Sequence, residues 1–504
     1  MKILFIYPNL FAQVGFNYGV AFLSAVLKQD GHETALLNIN EKLGYPLDMA
    51  RIMNDIKTFN PDLIAFSAVT NQFQYTQKIA GEIKHRFSIP LVCGGIHVTM
   101  AAEEVMDSGL FDTLFIGESE YALRDYVRAL ANKQDPSATP NTWQRRGAAV
   151  IKNPVSPFPA LETLPFKDYD IFDFQKMIDA KDGWVGIMAS RGCPFRCTYC
   201  FNHRIIERYK TDLQVPAARL NYIRHHPVQD IINEIVFLQE HYKNIRMYIF
   251  DDDLFTFDEE YVKEFCAAYR KVTTLPFVAN AHVQVFTPAV ARCLKQAGCR
   301  IIKFGIESGS ERIRNKVMNR VMSNEIIRRA FATAHDAGLH TSAFVMFGLP
   351  YETRDDILET IQLLADIRPG RFRWAIFFPF PNTAAYAMSR EGGFIDFSRM
   401  ESLNNFTEES CLNFGPEQNL WIQKLQKTFP WHVNARAHFP ASEEYQRMIQ
   451  EIDNLPAEAW HAHQEKILSI DRETAARFSA AGLAHYAIRF NPFMAVHSDW
   501  REDE

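Results

Sequence analysis

Long apolar runs are missing from this sequence: no stretch of its 504 residues approaches the ~18 uninterrupted apolar positions of a membrane span. The opening MKILFIYPNL also lacks the extended apolar segment and small-residue cleavage site of a secretory signal. Charge of one sign is not in excess. The 54 Lys and Arg face 60 Asp and Glu, a net -6 with pI near 6.3, which gives no reason to expect nucleic acid or an anionic membrane as partner. No internal repeat and no low-complexity tract is present. Cysteine is sparse, eight in all, too few for a disulfide scaffold in so long a chain. Cytoplasm is the expected compartment. What remains is 47% hydrophobic and 23% charged, enough for a sizeable core, and the length suggests about three domains.

The apolar residues are ordered in alternation. KILFIYP (2–8), TALLNIN (34–40), DLIAFSAV (62–69), PLVCGG (90–95) and DTLFIG (112–117) alternate with helical patterns at 18–28, 47–59, 72–87, 101–108 and 119–132. This predicts an α/β class and a doubly wound, Rossmann-like parallel sheet over residues 1–134, with ligands at the carboxyl ends of the strands. Pro136, Pro140, Pro154, Pro157, Pro159 and Pro165 break any regular element, so 135–183 reads as a proline-rich linker. Strand candidates at 185–190, 247–252, 277–281, 301–306, 341–348 and 373–378 then alternate with helices. They predict a partial (β/α)6 TIM barrel over 184–400, with catalytic groups at strand ends. Residues 401–504 read as mainly helical. The aromatic residues there (Trp421, Phe429, Trp431, Trp460) and the segment F-F-P-F-P-N-T at 377–383 suit either a core or contact with an apolar or extended substrate.

Five cysteines, Cys93, Cys266, Cys293, Cys299 and Cys411, are scattered and read as small buried apolar residues. The other three form R-G-C-P-F-R-C-T-Y-C, with Cys193, Cys197 and Cys200 in C-x3-C-x2-C spacing. At this cysteine content a chance match arises in roughly 0.002 of such chains, so the spacing needs a reason. Thiolates select iron–sulfur clusters, zinc or copper(I). Three thiolates on a cubane leave one iron open to chelate S-adenosylmethionine (SAM). With His203 added, the same cysteines could instead close a tetrahedral zinc site.

The position of this motif directly after a strand, and three further strand ends, resemble the radical SAM superfamily over about residues 184–386. Tyr199 lies between the last two cysteines, G-I-E-S occupies 305–308, and F-G-L-P-Y-E-T occupies 347–353, where Tyr351 replaces the family's usual glycine. The resemblance implies a [4Fe-4S] cluster on Cys193, Cys197 and Cys200, and SAM contacts at Tyr199, Phe201, Asp252, Gly305, Glu307, Ser308, Gly348 and Pro350. Read locally, Glu307 could instead cap the helix near Glu311, and Asp251, Asp252 and Asp253 could hold magnesium. Asn382 stands where the family's G-T turn has glycine, so that turn could differ.

In the N-terminal part, S-A-V-T at 67–70, I-P-x-V-x-G-G-x-H at 89–97 and G-E-S-E at 117–120 are similar to the cobalamin-binding domain of cobalamin-dependent radical SAM enzymes. So are G-H-E-T at 31–34 and L-E-T-L-P-F at 161–166. With this domain the resemblance covers about four-fifths of the chain. It implies cobalamin contacts at Ser67, Thr70, Gly94, Gly95, His97, Gly117 and Glu118, with glycines letting a large ligand approach the backbone. His32 is expected to be a turn residue, His97 a tail or corrin contact, and no histidine a cobalt ligand. The rival reading, a dinucleotide-binding or scaffolding domain, lacks G-x-G-x-x-G after the first strand.

The group includes methylases of unactivated carbon or phosphorus, hopanoid methylases and an anaerobic cyclase. The resemblance therefore implies a methyltransferase that attacks an unactivated centre of a small molecule through a 5′-deoxyadenosyl radical and methylcobalamin. Its electron donor would be of flavodoxin or ferredoxin type. Oxidation, cyclisation or rearrangement with the same cofactors stays open, as does a non-enzymatic zinc or electron-transfer module.

Overall fold

The computed structural model describes residues 1–403 and 409–500; positions 404–408 and 501–504 of the expected helical region lie outside the described residues. Two compact units emerge, Met1–Pro194 with Phe201–Asp252, and Phe195–Cys200 with Asp253–Glu504.

In the first unit, strands β1 (Lys2–Pro8), β2 (Glu33–Ile39), β3 (Leu63–Ser67), β4 (Leu91–Gly94) and β5 (Thr113–Phe115) form a parallel sheet in the order β2-β1-β3-β4-β5. This is a doubly wound order, whose topological switch lies between β1 and β3. Ile3, Leu4, Phe5 and Ile6, like Ile64 and Phe66, are buried because helices cover both faces, so these strands read as continuous apolar runs.

The stretch expected to be irregular holds a hairpin. β6 (Thr142–Arg146) and β7 (Ala149–Lys152) extend the sheet antiparallel to β5. The prolines flank the hairpin instead of interrupting it, and Gly147, at φ 61°, makes its turn. Later in this unit β8 (Trp184–Ile187) pairs in parallel with β11 (Met247–Phe250), and β9 (Ser190–Arg191) with β10 (Arg224–His225) antiparallel.

In the second unit β12 (Phe277–Ala281), β13 (Cys299–Glu307), β14 (His340–Phe347) and β15 (Arg371–Ile376) are parallel neighbours. The helices between them open on caps the sequence carries: Thr287 with Pro288 at the first turn, Ser323, and Thr353 in a capping box with Asp356. All six expected barrel strands, β8, β11 and β12 to β15, are thus formed. A hairpin of β16 (Tyr486–Ile488) and β17 (Met494–His497) adds antiparallel to β15.

The C-terminal region is mainly helical, and its aromatics are core. Trp431 and Trp460 are buried, and Phe429 lies between Phe347 and Trp374, with ring centroids 5.5 Å apart in each pair. They give no hint of a substrate. Cys266 comes together with Cys293 and Cys299, and burial with the neighbouring Cys293 holds the Cys266 thiol well above its usual range. Cys266 and Cys299 are buried, as their scatter suggested, and Cys293 is half-buried beside them.

Behind the first sheet Lys167 and Glu234, each only 4% exposed, form an ion pair at 2.5 Å, and the Tyr169 hydroxyl donates to the other carboxylate oxygen. Removing one partner strands a buried charge. Lys167→Met is expected to cost about 3–5 kcal/mol in urea unfolding, and adding Glu234→Leu to recover most of that loss.

Candidate functional site

The loops after β1, β3, β4 and β5 converge on a cavity of about 480 Å³. Ser67, Gly94, Gly95, Gly117 and Glu118 line it, joined by Asn17, Tyr18 and Arg191, which the sequence reading had not singled out. Asn17 caps the first helix through the Val20 N–H, and its amide donates to the Ser67 hydroxyl at 3.1 Å, so the ends of β1 and β3 are tied together. Burial alone would raise the Glu118 carboxyl, but Arg191 at 2.7 Å and Arg224 outweigh it and leave the group below its ordinary range.

Thr70 and His97 stand apart from the lining. They meet each other, His97 Nδ1 to Thr70 Oγ1 at 3.3 Å, and the imidazole lies on Phe73 with centroids 4.0 Å apart. Burial lowers His97 to about 4, so the ring is neutral. His32 sits 3.3 Å from the Met1 amino group, at the edge where the strands begin. It is a turn residue.

The glycines serve the protein's own packing as well as any ligand. At Gly95, φ 103°, a methyl group would meet the Ala68 carbonyl at 2.5 Å; at Gly117, φ 73°, it would meet the Tyr209 hydroxyl at 2.3 Å. Along the cavity wall the Tyr18 hydroxyl donates to Asp251 Oδ2 at 2.9 Å, in space left by Gly186, where a methyl group would lie 2.5 Å from both atoms.

Cys193 follows β9, Cys197 is buried and Cys200 half-buried; none of the eight cysteines is in a disulfide. In the second unit the segment 195–200 is pinned from both sides. Thr198 N–H donates to the Met318 carbonyl at 3.0 Å and its hydroxyl to that of Val317 at 2.6 Å, while Phe195 stacks on His282 at 3.8 Å. Arg320 Nη1 donates to Cys197 Sγ at 3.5 Å and Nη2 to the Gly305 carbonyl at 2.6 Å. Glu307 closes the network. Burial pushes its carboxyl up, opposed by Arg320 and by a hydrogen bond from Tyr199. Its φ of 71° and a register irregularity in β13 turn it out of the strand. The helix Glu311–Lys316 has Ser310 at its N-cap, so Glu307 is not its cap.

Other expected contacts are committed to the fold. The Ser308 hydroxyl meets Thr360 and accepts from Ser310 N–H at 3.2 Å, and Asp252, fully buried, accepts from Ala189 N–H at 3.1 Å and the Ser190 hydroxyl. Burial raises Asp252 to about 7. The three aspartates therefore part ways, Asp251 to Tyr18 and Asp252 inward. Phe201, 40% exposed, opens the helix Asn202–Leu213, and Pro350 is buried after Gly348. Among the described residues no three His, Cys, Asp or Glu side chains are gathered as a metal site. The fit of an iron–sulfur cluster rests on the donor set itself, three thiols within eight positions of the chain and of the type that suits a soft metal centre.

Residues 187–364 match the radical SAM superfamily, and residues 9–127 the B12 binding domain. The chain is a cobalamin-dependent radical SAM enzyme. It is 27% identical to an uncharacterized methyltransferase of Pyrococcus horikoshii, over 76% of this chain and 82% of that one. Among solved structures it is similar in fold to OxsB, a cobalamin-dependent SAM radical enzyme (TM-score 0.66, 14% identity, 95% of this chain and 72% of that one). It is also similar to the radical SAM methyltransferase TsrM of Kitasatospora setae (TM-score 0.62, 16% identity, 77% and 76%). The cofactors of this radical SAM enzyme are the [4Fe-4S] cluster, SAM and cobalamin. Among its described residues no helix is long and apolar enough to cross a membrane.

Its two departures from the family pattern both take left-handed backbone. Tyr351 has φ 63° and Asn382 φ 63°, the left-handed conformation that glycine adopts without strain. Asparagine tolerates it well. Asn382→Gly is expected to change stability by under about 0.5 kcal/mol and Asn382→Val to lower it by about 1–2 kcal/mol in thermal unfolding. After β14, Gly348 N–H donates to buried Glu352 Oε2 at 2.6 Å and Leu349 N–H at 3.1 Å, and burial pushes that carboxyl up to about 8. A raised folded-state pKa favours the protonated form. Stability should therefore fall as pH rises from about 4.5 through 8, and Glu352→Gln should flatten that fall in unfolding curves taken across the range.

Proposed function

We propose that this enzyme methylates an unactivated centre of a small molecule. The observation that carries the reading is the cavity at the carboxyl ends of β1, β3, β4 and β5, whose wall includes Tyr18 bound to Asp251 at the end of β11. The methyltransferases among its relatives support the same reading.

In this reading Cys193, Cys197 and Cys200 hold the cluster, leaving no fourth protein thiolate. Tyr199, Phe201, Gly305, Glu307, Ser308, Gly348 and Pro350 frame SAM, with Asp252 fixing the strand end behind them. Ser67, Gly94, Gly95, Gly117 and Glu118 line cobalamin, with Thr70 and His97 at its margin. When bound, these groups supply reductive cleavage of a sulfonium to a carbon radical and a carrier for the methyl group. The chain's own residues orient and shield. Arg320 and Tyr199 hold Glu307 in place to accept from a bound amino or hydroxyl group, and Gly348, at φ 77°, turns the chain just after β14. Residues 1–134 would form the cobalamin domain, 135–183 the connection, 184–400 the barrel and 401–504 the substrate-side region. A flavodoxin or ferredoxin in the cytoplasm would deliver the electron.

The test needs no substrate. Anaerobically reconstituted protein, reduced and given methyl-deuterated SAM, is expected to yield labelled methylcobalamin by mass spectrometry and a SAM-induced change in the cluster EPR signal. Alanine at Cys193, Cys197 and Cys200 should abolish the EPR change. Unlabelled cobalamin alongside 5′-deoxyadenosine would move the reading to oxidation or cyclisation. A colourless zinc protein without iron would end it.

A further inference from the structure

A second cavity, of about 460 Å³, opens in the second unit where β14 and β15 begin, at the opposite strand ends from Glu307 and Gly348. Its lining is unusually basic: four of the chain's 16 histidines, His335, His340, His438 and His497, converge there with Arg368. The one acid on the lining, Asp499, is largely exposed, its Oδ2 lying 3.4 Å from His497 Nδ1, a nitrogen that accepts from the Asp499 N–H at 3.3 Å.

Arg368 is held in an uncommon way. It ends the helix Arg354–Ile367 in the left-handed conformation, φ 45°, and its side chain rests on the Phe439 ring 5.5 Å away. One guanidinium nitrogen donates to the Ala437 carbonyl at 3.0 Å. A guanidinium carries five N–H donors in a planar fork, so this exposed side chain keeps donors beyond that bond at the cavity lining. The floor is hydroxyl and backbone: Thr341 Oγ1 is 3.0 Å from His335 Nε2 and accepts from Gly370 N–H at 3.1 Å. Behind His497, His485 is fully buried and its Nε2 has no partner among the described residues.

We infer that this cavity binds a small oxyanion, the phosphate or carboxylate group of a metabolite, through Arg368 and the surrounding imidazoles, at a site separate from the radical chemistry. A planar donor fork among four imidazoles, which protonation turns into further donors, recognises anionic oxygens and outnumbers the single carboxylate of Asp499. The pH behaviour follows from the groups that face it. His497 is lowered by burial, by Arg368 and by His485, and raised only by Asp499; His335 is lowered by burial and raised by Asp336. Both rings are neutral near pH 7 in the free cavity. A bound anion favours their protonated forms, so binding takes up protons and strengthens as pH falls.

Titration calorimetry on the full-length, cofactor-loaded protein tests this with inorganic phosphate and citrate, against chloride at equal ionic strength. At about pH 6 one of the two probes is expected to bind at one site per chain, and at about pH 8 at least fivefold more weakly. Arg368→Gln and His438→Gln should each raise the dissociation constant, the first at least tenfold, while cobalamin absorbance and iron content stay unchanged. Should Arg368→Gln unfold, His438→Gln and the pH dependence carry the test. Absence of binding by both probes at about pH 6, or affinity unaltered in the folded variants, overturns the inference. Loss of cobalamin or iron in wild-type protein would instead count against the proposed function.

Discussion

A strand in a parallel sheet hands the chain on at one edge only, because the next parallel strand must start from the other. Both cofactor regions depend on that constraint. In the first unit it gathers Asn17, Ser67, Gly95 and Glu118, spread over a hundred positions, around one cavity. In the second it sets Glu307 at the last position of β13 and Gly348 just after β14. Delivery is finished by backbone turned left-handed at these ends: Gly95, Gly117, Gly348 and, without glycine's freedom, Glu307. A carboxylate residue at φ 71° costs about 1–3 kcal/mol, a strain typical of residues aimed at a ligand and offset here by Arg320 and Tyr199.

The buried carboxylates follow a second rule. Several find a partner far away in sequence, Glu118 in Arg191 and Arg224, Glu234 in Lys167 and Asp252 in Ser190, while Glu307 meets Arg320 and Glu352 the nearby N–H groups of Gly348 and Leu349. Desolvating such groups without partners costs several kcal/mol each, so the pairs are satisfied only in one arrangement of the chain. They favour specificity of structure over net stability. Arg320 illustrates it, spanning a cysteine sulfur and the backbone carbonyl of Gly305 with one planar group.

Period and punctuation made the strands legible; the observed β1, β3, β8 and β12 lie within two or three residues of the runs read from sequence. The C-x3-C-x2-C spacing was legible because soft-metal ligands must be close together in the chain. What escaped reading is nonlocal. The hairpin of β6 and β7 hid because proline density was taken as irregularity, when the prolines only bracket it. Arg320 and Tyr18 carry no motif, and their value comes from contacts 123 and 233 positions away, while Arg191, which opens the cysteine motif, reaches Glu118 73 positions away. Conversely, Asp252 and Ser308 matched a motif whose local reading pointed to a ligand, while their side chains are spent on Ser190 and Thr360.

Tyr351 shows where residues and energetics part company. It occupies a left-handed position that glycine would fill without cost, and its ring is 50% exposed, meeting Phe394 edge-on at 5.0 Å. An aromatic contact of that kind contributes about 0.5–1.5 kcal/mol, comparable to the backbone strain it accompanies, so the residue is close to neutral for folding. Trp431 and Trp460, by contrast, are wholly explained by the core they fill. Information about the substrate must therefore be sought among half-exposed residues at the strand-end rim, where stability does not dictate the side chain, and not among the buried rings that dominate the composition of the C-terminal region.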